Sequence, residues 1–67
     1  MLNIDEMVRR LTELAFSTND ENLLGIIDIF EDADSNWKAH QSMLNKVNAE
    51  KAYKMLRKAY QRRIQGV

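Results

Sequence analysis

Apolar residues near the start of the chain recur at intervals of three or four positions. The members of this set share one helical face: Ile4, Met7, Leu11 and Leu14. Such spacing follows the α-helical turn of about 3.6 residues and gives the helix one apolar side. Asn3 followed three residues later by Glu6 is the pattern of a capping box, which marks a helix start. The pattern therefore predicts an amphipathic helix over about residues 4–16.

The longest apolar pattern lies in the middle of the chain and alternates spacings of three and four. Its positions are Leu23, Ile26, Phe30, Ala33, Trp37, His40, Leu44 and Val47. This heptad seam is typical of coiled coils. It runs through residues 32–36, whose Asp, Ser and Asn side chains favour turns and helix starts. Because one helix preserves the register and a turn need not, we expect a continuous, coiled-coil-like helix over about residues 20–47. The alternative is a break at 33–36, which gives four short helices.

After Val47 the apolar positions move to another side of the helix. At about 100° per residue, the new set lies nearly opposite Val47: Ala49, Ala52, Tyr53, Leu56, Ala59 and Tyr60. A turn near Val47 with Asn48 as N-cap resolves this change, and a last helix then runs over about residues 48–65 and ends before Gly66. We therefore predict an all-α fold, a small helical bundle of three helices forming one domain over residues 1–67.

The small size of the chain favours association with a second chain. A domain of 67 residues buries only about 60% of its unfolded surface. The chain has no cysteine, so disulfides cannot add stability. Leu24 and Ile29 also widen the apolar stripe of the second helix beyond what one neighbouring helix covers. The expected oligomer or partner interface consists of Leu24, Ile26, Ile29, Phe30, Trp37, His40 and Leu44.

Charge is divided between the two parts of the chain, although its net value is zero. Residues 1–36 contain nine acidic side chains and two basic ones, whereas residues 37–67 contain eight basic side chains and one acidic. The candidate binding residues on the last helix are Lys51, Lys54, Arg57, Lys58 and Arg62. Such a cationic surface suits an acidic protein partner or the phosphates of nucleic acid. A solvated helix surface, or neutralisation of one half by the other, explains the same residues equally well.

The sequence offers little catalytic or metal-binding chemistry. Asp32, Asp34 and Asn36 have the spacing that opens an EF-hand calcium loop, but Trp37 and Met43 stand where that loop needs glycine and glutamate. His40 is the only histidine, and one histidine without cysteine does not make a transition-metal site. No nucleophile has an evident activating base. We therefore expect no catalytic residues, no metal and no cofactor.

These observations predict a small non-enzymatic regulatory protein that acts by protein–protein interaction. We expect a homodimer that binds and modulates a partner protein. A nucleic-acid-associated regulator that uses the basic last helix is the first alternative, and a structural or assembly scaffold subunit is the second. The missing cysteines and the acidic N-terminus, which is unlike a secretory signal, predict a cytoplasmic protein. No apolar stretch approaches the roughly 20 residues of a membrane span.

Overall fold

Three α-helices follow one another in the computed structural model, which describes residues 3–66. Helix α1 spans Ile4–Thr18, α2 spans Glu21–Ala39 and α3 spans Met43–Tyr60. A π-helical turn, Gln61–Gln65, continues α3. No strand occurs among the described residues. The predicted all-α bundle of three helices is confirmed, and so are the start of the first helix and the end of the last.

Each helix begins at a side chain that accepts a hydrogen bond from the first turn. The Asn3 side chain accepts from the backbone N–H of Glu6 at 2.8 Å. Asp20 does the same for α2, and Ser42 does the same for α3. These side chains satisfy backbone donors that have no partner within their helix. The capping position predicted at Asn3 is therefore confirmed.

The second helix ends earlier than the heptad seam predicts. Helix α2 runs through residues 32–36 without a break, so the predicted continuity there is confirmed and the alternative break at 33–36 is wrong. The helix ends at Ala39, however, so the predicted end near residue 47 is also wrong. The Asn45 side chain donates to the carbonyl oxygens of His40 at 2.8 Å and of Asn36 at 3.3 Å. The Asn36 carbonyl also accepts from the backbone N–H of His40 at 2.9 Å, and the His40 carbonyl accepts from that of Ser42 at 3.0 Å, so Asn45 adds a second hydrogen bond at each acceptor.

The last helix begins earlier than predicted. It starts at Met43 after the Ser42 cap, which replaces the predicted cap at Asn48. The predicted helix start at residue 48 is wrong because Ser42, six residues before Asn48, supplies the capping oxygen. The sequence-based periodicity therefore crossed a real turn without changing its spacing.

The hydrophobic core combines one face of each helix. Its buried residues within the described part of the chain are Met7, Leu11, Ala15, Leu23, Ile27, Phe30, Ala52, Leu56, Ala59 and Tyr60. One leucine per helix is fully buried: Leu11, Leu23 and Leu56. The predicted apolar side of α3 is thus confirmed. The heptad seam, by contrast, divides between core and surface, because Leu44 retains 68% of its exposure; a coiled coil is not confirmed.

Helices α2 and α3 form an antiparallel hairpin, and α1 packs mainly against α2. Arg63 Nε donates to Asp20 Oδ2 at 3.2 Å, which ties the end of the chain's last helical segment to the start of α2. Because α1 covers one side of the hairpin, the other side is left open. Over residues 3–66, no helix is both long and apolar enough to cross a membrane.

Candidate functional site

Large apolar side chains are exposed at the start of α3. Met43 is 79% exposed, Leu44 is 68% exposed and Val47 is 39% exposed. The three lie within slightly more than one helical turn, on the side of α3 that faces away from the core. Single exposed apolar residues are ordinary, whereas a contiguous apolar patch bordered by polar residues is a candidate contact site. We call Met43, Leu44 and Val47 the apolar corner.

A row of cations continues from the apolar corner along α3. We call it the basic row, and it consists of Lys51, Lys54 and Lys58 on α3 and Arg62 on the π-helical turn that follows. All four are exposed, and their spacings of three and four place them on the side of the helix opposite Leu56. Within residues 3–66 the ion pairs are Arg9–Glu6, Lys38–Asp34 and Arg63–Asp20. None of these ion pairs involves a cation of the basic row.

Arg57, the remaining predicted cation, is exposed but lies to one side of the basic row. At about 100° per residue it is closer in direction to Glu50 than to Lys51. The structure thus separates Arg57 from the four cations that line up. Sequence spacing alone allowed this distinction, because Lys54 and Arg57 are neighbours but Arg57 and Lys51 are not.

The acidic counterpart lies on the outer side of α2. We call Glu21, Asp28 and Asp32 the acidic row; all are exposed, and they lie opposite the buried Leu23 and Phe30 of the same helix. The charge division of the sequence therefore becomes two rows on neighbouring antiparallel helices.

A shallow groove separates α2 from α3 on the side that α1 does not cover. Its volume is about 320 Å³. Nine residues line it: Ile29, Asp32, Ala33, Asn36, Asn45, Asn48, Lys51, Ala52 and Met55. Ile29 and Met55 are 52% and 42% exposed. Asp32 stands on the α2 wall and Lys51 on the α3 wall, so the α2–α3 groove has an apolar centre with one charge of each sign beside it.

The residues predicted to form an interface do not share one surface. Phe30 is buried in the chain's own core, so it is removed from the set available to a second chain. Leu24 and Ile26 are partly buried against that core, and Trp37 is half-buried. Three predicted residues are exposed, on different elements: Ile29 on α2, His40 in the turn and Leu44 on α3.

Met43 and Met55 are exposed but belong to neither of the surfaces predicted from the sequence. Met55 lies beside the buried side of α3 without belonging to it. The sequence does contain a signal for its exposure, because Met55 is an apolar residue outside the predicted core positions Ala52, Leu56 and Ala59. Such a residue indicates a second apolar side, which a helix packed on one side only does not need.

Two ionisable groups have pKa values shifted by local contacts. The backbone N–H of Leu23, with the Arg63 guanidinium beside it, lowers the pKa of Asp20. A hydrogen bond to Asp34 raises the pKa of Lys38. In both cases the contact stabilises the charged form of the side chain, and the contact lies at the surface, at a helix end or between successive helical turns. Among the described residues, no three acidic, histidine or cysteine side chains converge to hold a metal ion.

The chain was compared with protein-family models, with curated proteins and with solved structures. None of the three comparisons finds a match.

Proposed function

We propose that this chain is a small non-enzymatic regulatory protein of the cytoplasm that works by protein–protein contact. It acts as a homodimer that binds a partner protein and modulates it. The observation that carries the proposal is the apolar corner at the start of α3, which is continuous with the basic row. The two features share one outward side of α3, and residues of the core occupy the other.

The chemistry of this side of α3 suits a protein partner. Burial of Met43, Leu44 and Val47 would remove roughly 250 Å² of apolar surface from water, about 6 kcal/mol before the costs of association. The adjacent cations would meet acidic groups on the partner, which orients the complex and accelerates encounter. An apolar centre bordered by charged residues is the usual composition of a protein interface.

The basic row alone would also suit nucleic acid, because four exposed cations can contact phosphates. The apolar corner favours the protein partner, since phosphate contacts need no exposed methionine or leucine. A scaffold role would require larger closed assemblies. The nucleic-acid and scaffold alternatives therefore predict different experimental results from the protein–protein proposal.

Affinity capture from the native cell lysate tests the proposal with three versions of the full chain. The first is the wild type, the second is Leu44→Ser in the apolar corner, and the third is Phe16→Ser. Phe16 is a matched control because it is 71% exposed on α1, away from α3. We expect one protein to be retained by the wild type and by Phe16→Ser, to be lost by Leu44→Ser, and to survive nuclease treatment.

The contrary results are equally specific. Equal retention by all three versions would show that the apolar corner is not the binding surface. Loss of the retained protein on nuclease treatment would favour the nucleic-acid alternative, as would binding that declines steeply with added salt. Purified chain in closed assemblies larger than a dimer would favour the scaffold.

A further inference from the structure

We infer that the α2–α3 groove is the surface by which two copies of this chain associate. In this dimer the two copies pack face to face about a two-fold axis that runs parallel to the helices, so that α2 of each copy lies on α3 of the other. The inference rests on the homodimer of the proposed function and specifies its interface.

The centre of the groove has the side chains that such a contact needs. Ile29 and Met55 stand half-exposed on opposite walls, and the small residues Ala33 and Ala52 also line the groove. Two large apolar side chains beside two small ones can interdigitate with the same set on a second copy. Methionine adapts its shape to such a contact.

The charges beside the groove lie at matching heights along the hairpin. Asp32 is seven residues before the end of α2, and Lys51 is eight residues after the start of α3. At about 1.5 Å per residue, the two positions differ by roughly one residue in distance from the connecting turn. Asp28 and Lys54 are each eleven residues from it. The acidic row and the basic row therefore run side by side at the same levels.

Symmetry and charge together select one arrangement. A two-fold interface is self-complementary, so every contact occurs twice. With the axis parallel to the helices, Asp32 of each copy faces Lys51 of the other. With the axis perpendicular to the helices, α2 would lie on α2, and the acidic rows would oppose each other. Because like charges across an interface are costly, the parallel axis is favoured.

The area of the surface formed by α2 and α3 limits the affinity of the dimer. Two helices of this length, side by side, offer roughly 500 Å² per copy, or about 1,000 Å² in total, which is near the lower limit of specific interfaces. We therefore expect dissociation in the micromolar range. Met43 and Val47 do not line the groove and stay accessible to the partner protein in the dimer, as do the cations of the basic row other than Lys51, which faces Asp32 of the other copy.

Charge reversal with mixing tests the arrangement directly. The variants are Asp32→Lys and Lys51→Glu in the full chain, and the measurement is sedimentation velocity at high micromolar concentration. We expect the wild type to be dimeric and each variant alone to self-associate at least about tenfold more weakly, because each places two like-charged pairs in its dimer. An equimolar mixture of the two variants should form a heterodimer, because both contacts then join opposite charges.

The mixture separates contacts between copies from contacts within one chain. Mixing leaves the pair of residues 32 and 51 inside each chain unchanged, so only a contact between copies can be restored. Glu13→Lys and Lys46→Glu are matched controls, since both positions are exposed and outside the groove. We expect both controls to remain dimeric, and circular dichroism should show native helix content in every variant.

Three outcomes would overturn the inference, and they differ in what else they overturn. A monomeric wild type at high micromolar concentration would remove both the arrangement and the homodimer. A dimeric wild type whose two variants do not recover on mixing would remove the arrangement and leave the homodimer standing. Controls that weaken the dimer as strongly as the groove variants would show that overall charge, and not this contact, governs association.

Discussion

Leu56 and Leu44 lie on the same helix but on opposite sides of it, and their replacement by alanine should have very different effects. Leu56 is fully buried, whereas Leu44 is 68% exposed. The heptad seam of the sequence includes Leu44 and omits Leu56. The pair of variants Leu56→Ala and Leu44→Ala therefore tests the core as the structure has it against the seam.

The expected cost follows from burial. Leu56→Ala removes three carbon atoms from the core, about 2.4 kcal/mol of transfer free energy, and the cavity left behind adds to this loss. We expect a decrease of roughly 3–4 kcal/mol in the free energy of unfolding. The total free energy of unfolding of a domain of this length is about 3–10 kcal/mol. Leu44→Ala should change the free energy of unfolding by less than about 0.5 kcal/mol.

Urea denaturation followed by circular dichroism at 222 nm measures both changes, with Trp37 fluorescence as a second probe of two-state unfolding. The protein concentration should be low enough to keep the chain monomeric, because association adds to apparent stability. If Leu56→Ala is unfolded without urea, Ile27→Val provides a milder change of the same core. Ile27 is 3% exposed, and we expect a cost of about 0.5–1.5 kcal/mol.

A cost for Leu44→Ala equal to that for Leu56→Ala would refute this reasoning. Such a result would mean that the seam is buried and that α3 is rotated or displaced from its described position. A cost below about 1 kcal/mol for Leu56→Ala would refute it as well, because a fully enclosed leucine cannot be removed so cheaply.

Three further predictions concern the helix caps, pH and a glycine. Ser42→Ala should lower the free energy of unfolding by about 1 kcal/mol, whereas Asn48→Ala should change it by less than about 0.5 kcal/mol in the same urea titration. The Leu23 N–H lowers the pKa of Asp20, so the stability that this carboxylate contributes should be present above about pH 4 and be lost as the pH falls through the lowered pKa. Between pH 6 and pH 2 the urea midpoint should therefore fall less for Asp20→Asn than for the wild type. An equal fall in the two proteins would contradict this prediction. Gly25→Ala should raise the free energy of unfolding by about 0.5–1 kcal/mol, because Gly25 lies within α2 and an added Cβ meets no atom within 4 Å; a lower thermal midpoint would contradict this.

The first helix and the buried side of the last could be predicted because their signals are local. The Asn3 cap and the spacing of Met7 and Leu11 lie within a few residues of one another, and the helix forms where they indicate. The same holds for Leu56 and Tyr60 on α3. Periodicity at helical spacing reports which side of a helix is apolar, whatever the helix packs against.

The turn at residues 40–42 does not follow from local signals alone, because Ser42 and Asn48 both offer a capping side chain. The seam keeps its spacing across this turn, and residues 40–42 include neither glycine nor proline. A continuous helix would carry Leu56 away from α2 and leave it exposed, so burial of the α3 core residues favours the turn. That burial is a tertiary contact, and periodicity within one segment carries no information about it.

The candidate surfaces divide in the same way. The positions of Lys51, Lys54, Lys58 and Arg62 on one side of a helix follow from their spacing, and the structure shows all four exposed. The α2–α3 groove does not follow from spacing. Ile29 is exposed because α1 packs on the other side of the hairpin, a choice that no pattern within α2 records.

The sequence by itself therefore determined that the chain is helical, which sides of its helices are apolar and where its charges run. Only the tertiary structure decided where α2 ends, which apolar residues remain uncovered, and that the acidic and basic rows stand at equal heights on neighbouring helices. The physical reason is the range of the interactions. Helix formation, capping and amphipathicity depend on residues within one or two turns, whereas burial depends on which helices meet.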